Sequence, residues 1–290
     1  MNQELSDLLD LLDLEPIEVN MFLGTSPSED SQRVYGGQVI GQALVAASRT
    51  VEDTTRTAHS LHGYFLRPGD TTIPILYSVD RIRDGKSFTT RRVVAIQRGE
   101  AIFSMSVSFQ VMESGLEHQS DKPDVPTPES CLSQKELREK YAASIPEHMT
   151  EQANDSQPIE MRYVEPLNEF DPDRHPPYQH VWIKTVDEMP KDVRLNQCLL
   201  AYASDMTLLD TSYRPHGLGW RAKNFQVASL DHAMWFHKSF LTDEWMLYQQ
   251  DSPFSGGARG FTRGTIFGAD GDLIASVAQE GLIRLHNKPS

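Results

Sequence analysis

Asp205, Ser229 and Gln279 are polar residues set in apolar runs, and each suits a different task. Asp205 follows Leu199, Leu200, Ala201 and Ala203 on a segment with helical character. A carboxylate at the end of a buried helix is costly unless it is hydrogen-bonded or used, and burial raises its pKa while nearby donors lower it. Ser229 has neither a neighbouring base nor the sharp G-x-S-x-G turn of a serine nucleophile, so it reads as a hydroxyl that holds a water or a substrate atom. Gln279 closes the run Ile274, Ala275, Ser276, Val277, Ala278, where strand alternation leaves its face open.

His232 and His237, with Asp231 beside the first, superficially resemble metal ligands. Their spacing on a strand sends the two imidazoles to opposite faces, so no metal is expected. His232 next to Asp231 also suits a hydratase that moves a proton. His62 is expected to hydrogen-bond near the sheet and is a candidate substrate contact. Gly36 and Gly37 open a helix whose first amides carry partial positive charge, and glycine there admits a polarised carbonyl oxygen as an oxyanion contact.

The elements that must position these groups recur in two halves. Residues 34–51 read as a Gly-led helix preceded by a strand, followed by strands at 58–68, 73–85, 87–97 and 101–112. Strands at 159–166 and 179–186 precede a second helix at 195–209, and strands follow at 225–238, 244–252, 258–268 and 273–285. Ala58-His59-Ser60-Leu61-His62 overlays Ala228-Ser229-Leu230-Asp231-His232, which pairs His62 with His232, and Thr90-Arg91-Arg92 overlays Thr262-Arg263 within a slip of one or two positions. The same overlay sets Gln279 against Val107 and Asp205 near Arg49, so a site built from second-half residues is expected. Tight hairpins are expected at Gln97–Glu100 and at Ala269–Asp272, the latter with an Asp270-Gly271 pair suited to a type I′ turn. An antiparallel sheet with one apolar helix buries that helix by curling round it, which makes the fold class α+β. Between them, residues 113–157 turn to Pro, Ser, Asp, Glu and Lys, a polar connector with one helix near 133–144.

Composition limits the partners. The 290 residues are 39% apolar and 23% charged, the profile of a soluble globular chain, and the formal charge is −14. Such a field repels phosphate backbones and anionic lipid, so neither nucleic acid nor membrane is an expected partner. The two cysteines, Cys131 and Cys198, form neither a disulfide framework nor a metal motif. No run approaches the roughly 20 apolar residues of a spanning helix. The acidic N-terminus, in which Leu5, Leu8, Leu9 and Leu12 mark an amphipathic helix, is no targeting segment. The cytoplasm is the expected compartment.

Taken together, VYGGQVIGQAL (34–44), HSLHGYFLRPGD (59–70), DGKSF (84–88) with TRRVVAIQ (90–97), LLAYASDM (199–206), ASLDHAMWFH (228–237), ARGF (258–261) and VAQEG (277–281) resemble the acyl-CoA thioesterase II family of double hot-dog enzymes. The resemblance runs through both halves and lapses in the connector. It implies a double hot-dog, two antiparallel sheets each wrapped around a central helix and joined edge to edge, with units at 1–112 and 158–290. It also implies hydrolysis of a fatty acyl-CoA without cofactor, metal or covalent intermediate. In the family an Asp, a Thr or Ser and a Gln together orient the attacking water, and these fall on Asp205, Ser229 and Gln279. Serine stands here where some relatives carry threonine, which keeps the hydroxyl and loses a methyl. Coenzyme A brings phosphate charges to an acidic protein, so Arg67, Lys86, Arg91, Arg92, Arg259 and Arg263 form a candidate basic patch, Arg67 and Arg92 foremost. An open strand edge points to a homodimer or homotetramer. A hydratase or dehydratase on this fold and a non-catalytic acyl-CoA-binding protein are the alternatives.

Overall fold

Leucine spacing, capping side chains and glycine turns set the element boundaries. The computed structural model describes residues 2–27, 33–145, 157–168, 170, 172–219, 222 and 224–286. Helix α1 (Gln3–Leu12) is capped by the Asn2 side chain and buries Leu5, Leu8 and Leu12. Strands β1 (Glu15–Glu18) and β2 (Met21–Gly24) lead to α2 (Gly36–Arg49), followed by β3 (Arg56–Phe65), β4 (Ile75–Asp84), β5 (Phe88–Gln97) and β6 (Glu100–Val111). After the connector helix α3 (Gln134–Lys140), the chain forms β7 (Ile159–Tyr163), β8 (Tyr178–Thr185), α4 (Val193–Ser204), β9 (Phe225–Ser229), β10 (Asp231–Phe236), β11 (Met246–Gly256), β12 (Arg259–Gly268) and β13 (Leu273–Leu285).

The strands make one 13-stranded antiparallel sheet in the order β1-β2-β4-β5-β6-β3-β10-β13-β12-β11-β8-β7, with β9 joined to β13. Each half thus repeats one strand order outward from the β3–β10 seam, where Leu61 lies opposite Met234 and His62 opposite Ala233. Helix α2 is buried from Gly37 through Ser48, and its glutamines are satisfied: Gln42 donates to Leu11 O and Thr25 O and accepts from the Tyr77 hydroxyl. α2 and α4 pack antiparallel, since a Cβ at Gly37 would meet Tyr202 O at 2.2 Å and one at Gly41 would meet Cys198 O at 3.2 Å. Glycine at 37 is therefore required for the close approach of the two helices.

Several expectations shift. The strand expected at 225–238 is broken at Leu230, whose N–H donates to Glu280 O and whose carbonyl accepts from Phe65 N–H. The overlay of the halves slips by one residue: Ala58 faces Phe109 where Ser229 faces Gly281, and Arg91 faces Val107 where Thr262 faces Gln279. His232 is consequently equivalent to buried Leu61 and not to His62, because a one-residue slip in a strand exchanges its faces. The overlay of Asp205 near Arg49 moves likewise to Thr50, the C-cap of α2 as Asp205 is of α4. The type I′ geometry occurs at Arg98-Gly99, both with positive φ (51° and 76°), whereas at 270–271 only Gly271 is left-handed, in a loop closed by Gly271 N–H to Gly268 O.

The long edges of β3 and β10 are used against each other. The sheet ends instead in β1, four residues with Pro16, and β7, five residues bridged through Arg162 to Ser133. These short, blocked edges remove the open-edge argument for self-association. The connector lies against the second half: Trp182 Nε1 donates to Pro126 O at 2.9 Å, and Val125 and Cys131 pack on Trp182, Leu247 and Phe267. Residues 146–156 of it lie outside the described residues.

Candidate active site

Asp205 is where the two helices and the second-half sheet meet. It is the C-cap of α4, with φ −83° and a side chain only 5% exposed. Gln279 Nε2 on β13 donates to Asp205 Oδ1 at 2.5 Å, and Ser229 Oγ at the end of β9 donates to the same oxygen at 3.2 Å. The structure therefore brings Asp205, Ser229 and Gln279 together. The break at Leu230 ends β9 at Ser229, in the manner of the irregularities that re-aim side chains beside functional sites. Thr262 Oγ1 donates to Gln279 O at 3.1 Å and ties β13 to β12 at the level of the amide.

The other carboxylate oxygen looks toward the start of α2. A Cβ added at Gly36 would lie 2.6 Å from Asp205 Oδ2 and 3.0 Å from the Phe65 ring, so only glycine fits. The N-cap Tyr35 supplies no side-chain acceptor and the first turn of α2 holds no acidic residue. The positive end of one helix dipole thus meets a carboxylate set at the negative end of another. Two phenols finish the α4 terminus: Tyr35 donates to Tyr202 O at 3.0 Å and Tyr248 to Ser204 O at 2.8 Å. Burial first, then Asp205, pushes both phenol pKa values well above the ordinary value, so both remain donors. Tyr248 itself lies over Gly264, where a Cβ would be 2.3 Å from its ring.

Two buried polar atoms here have no hydrogen-bond partner among the described residues, Gln279 Oε1 and His232 Nδ1. Buried polar groups are nearly always paired, so orphans clustered at one carboxylate mark a place for a water or a substrate atom. Burial lowers the His232 pKa against the opposing pull of Asp205, which leaves the ring neutral.

The remaining candidates separate. His62 is exposed on the opposite face of the sheet, edge-on to Trp235 at 5.1 Å, and Arg92 shares that outer face, next to inward-pointing Arg91. Arg91 is 1% exposed and committed to Thr50, Asp84 and backbone carbonyls, so it is no phosphate contact. Arg67, two residues past Phe65, donates to Ala101 O and faces Glu100, while Arg259 pairs with Glu280 and Arg263 with Asp251. Lys86 is exposed. His237 hydrogen-bonds Ser276 Oγ on the face away from His232. Asp231 also faces away from His232 and accepts the Glu280 N–H at 2.6 Å, so the His–Asp pair a hydratase would use is not formed. Neither Tyr35 nor Tyr248 was among the candidates read from the sequence; the place of Tyr35 before the Gly36-Gly37 pair is a signal that could have found it, whereas nothing local marks Tyr248.

A family profile described as Acyl-CoA thioesterase matches residues 149–282, and one described as Acyl-CoA thioesterase N-terminal domain matches residues 25–110. A solved protein from Alicyclobacillus acidocaldarius titled as having a hot dog fold superposes with TM-score 0.74 at 16% identity, covering 95% of this chain and 97% of its own, which shows the fold. Acyl-CoA thioesterase 2 of Haemophilus influenzae is 40% identical over 98% of this chain and 99% of its own. Acyl-coenzyme A thioesterase 8 of Mus musculus is 41% identical over 95% and 88%. The crystal structure of an acyl-CoA thioesterase II, TesB2, from Mycobacterium marinum superposes with TM-score 0.78 at 42% identity, covering 96% of this chain and 98% of its own. The fold is thus that of the hot-dog thioesterases. The chain belongs to the acyl-CoA thioesterase II family.

Proposed function

We propose that the protein hydrolyses fatty acyl-CoA thioesters to free fatty acid and coenzyme A through a directly activated water. The observation that carries this reading is the convergence of Gln279 and Ser229 on one oxygen of buried Asp205, beside the uncapped start of α2. In this reading the water sits against Asp205 and the free Oε1 of Gln279. Asp205 takes one of its protons as the oxygen attacks the thioester carbonyl carbon. The carbonyl oxygen becomes an oxyanion facing the amides at Gly36 and Gly37; as it collapses to the acid the C–S bond breaks, and the departing thiolate receives the proton that Asp205 took, which restores the carboxylate. No metal or cofactor enters.

The same proposal takes the molecule as a double hot-dog, with residues 1–112 and 158–290 as its units, 113–157 as connector and the second unit carrying the catalytic groups. The two family matches, 25–110 and 149–282, support that division. It places the protein in the cytoplasm as a homodimer or homotetramer. Of the basic candidates, Arg67 lies nearest in the chain to the Phe65 wall of the site and is the one retained for coenzyme A.

The test is thiol release from a saturated acyl-CoA, followed with a thiol reagent. Wild-type protein should liberate free thiol, and Asp205→Asn should lower kcat by about 10²- to 10⁴-fold with substrate binding preserved. A saturated chain offers a hydratase nothing to hydrate, so absence of thiol from the folded wild type would sink the reading.

A further inference from the structure

Next to Asp205 lies a buried imidazole that the mechanism above leaves idle. We propose that His232 is a positioning residue for Asp205, held at Nε2 by the Ser204 hydroxyl and set by the carboxylate as the tautomer whose Nδ1–H faces it.

The geometry supplies each step. His232 Nε2 is 2.9 Å from Ser204 Oγ, and His232 Nδ1 lies 4.0 Å from Asp205 Oδ1 with no hydrogen-bond partner among the described residues. The ring is 1% exposed and burial keeps it neutral, so it carries one proton to place on one of two nitrogens. With the proton on Nε2, the Nδ1 lone pair would point toward a buried anion. With the proton on Nδ1, the positive end of the N–H dipole points there instead, which the low-dielectric site favours. That choice obliges Ser204 to donate to Nε2, turning its hydroxyl from the alternative acceptor, Ala201 O at 2.8 Å. The phenols Tyr35 and Tyr248, bonded to neighbouring α4 carbonyls, stay protonated, so Asp205 is the charge that acts on the ring.

His232 would thus direct a third N–H or O–H dipole at Asp205, beside the hydrogen bonds from Gln279 and Ser229. Its effect is to orient the carboxylate that must accept a proton. The separation of 4.0 Å makes this a field across a short gap, or a contact that closes when substrate enters the site.

The proposal rests on Asp205 as the base, and paired substitutions test the two separately. An asparagine amide overlays Nδ1 and a glutamine amide overlays Nε2. His232→Gln keeps a partner for Ser204 and loses the donor toward Asp205. Its kcat should fall at least about 10-fold with KM little changed. His232→Asn keeps the donor and should turn over about 10-fold faster than His232→Gln. Equal losses in the two variants, or glutamine as the better replacement, would reduce His232 to packing and overturn the proposal. Independently of whether either variant folds, the 15N shifts of His232 in the wild-type protein should report the Nδ1–H tautomer, and an Nε2–H ring would also overturn it. Full activity in Asp205→Asn would remove the base that His232 serves and overturn both readings, whereas a dead Asp205→Asn with equal His232 variants would overturn this one alone.

Discussion

The C-terminal ends of α2 and α4 occupy equivalent places in the two halves and are finished in opposite ways. At α2 the cap is Thr50, whose Oγ1 accepts from Arg91 Nε at 2.9 Å and whose carbonyl accepts from Arg91 Nη2 at 3.1 Å. The facing helix sends Arg194 to the same turn, where it donates to Ser48 O and Val51 O. At α4 the cap is Asp205, and the facing helix sends Gly36 with no side chain at all. Val107 and Ala58 of the first half stand where the second has Gln279 and Ser229. One end is a structural solution, with cationic donors covering helix carbonyls. The other keeps a carboxylate, a helix start without a side-chain cap from Tyr35 and, among the described residues, two orphaned polar atoms, which is how a site departs from the rules its own fold obeys elsewhere.

Moving residues across this comparison should separate stability from activity. Asp205→Thr with Gln279→Val imports the first-half pair. It should lower kcat by about 10²- to 10⁴-fold while Tm holds or rises, because a buried charge and its partner leave together. A collapse of Tm in this double variant would show that the carboxylate serves the fold. Arg91→Leu removes the plug from the other end. Thr50 O and nearby carbonyls lose their donor, so urea melts should show a loss of about 2 kcal/mol while kcat stays within about twofold. An activity loss as large as the stability loss implies would mean that the first half shapes the site. The smallest effect concerns pH. His232, His59 and His237 all have pKa values lowered, chiefly by burial. Their contribution is present above the ordinary imidazole pKa of about 6.5 and is lost as pH falls below it, since the unfolded chain binds protons first. Unfolding free energy measured between pH 8 and pH 5, on the order of that window, should fall on acidification, and less steeply in His232→Gln. An unchanged slope would contradict a neutral buried ring.

The two helices and the strands that follow them were legible because apolar periodicity marks what is buried, and Asp205 stood out as a carboxylate closing such a run. That Ser229 and Gln279 join it came from the resemblance to the thioesterase family, since strand alternation left the face of Gln279 open. The register was less legible. The matched strings Ala58–His62 and Ala228–His232 are short, and a strand's period of two makes a one-residue slip cheap to misread yet decisive for which face His62 and His232 occupy. β1 and β2 were hidden by their length, four residues each, around Pro16. Arg91 read as a surface charge because strand alternation at Thr90-Arg91-Arg92 does not say which arginine faces the helix. Tyr248 and Ser204 act through backbone carbonyls and an imidazole brought near by packing alone, contacts for which the chain carries no local signal.

The central claim is that Asp205 and Gln279 hold one water between them. Groups that act as a unit on a single nucleophile show strongly non-additive losses, because removing either already misplaces it. The most direct measurement is kcat for the wild type, Asp205→Asn, Gln279→Ala and the double variant, with circular dichroism to confirm that all four are folded. Each single substitution should lower kcat substantially, and the double variant should fall little below the worse of the two. Losses that multiply strictly would mean that the residues contribute independently, and Gln279 would then be a strand residue that supports the fold without holding the water.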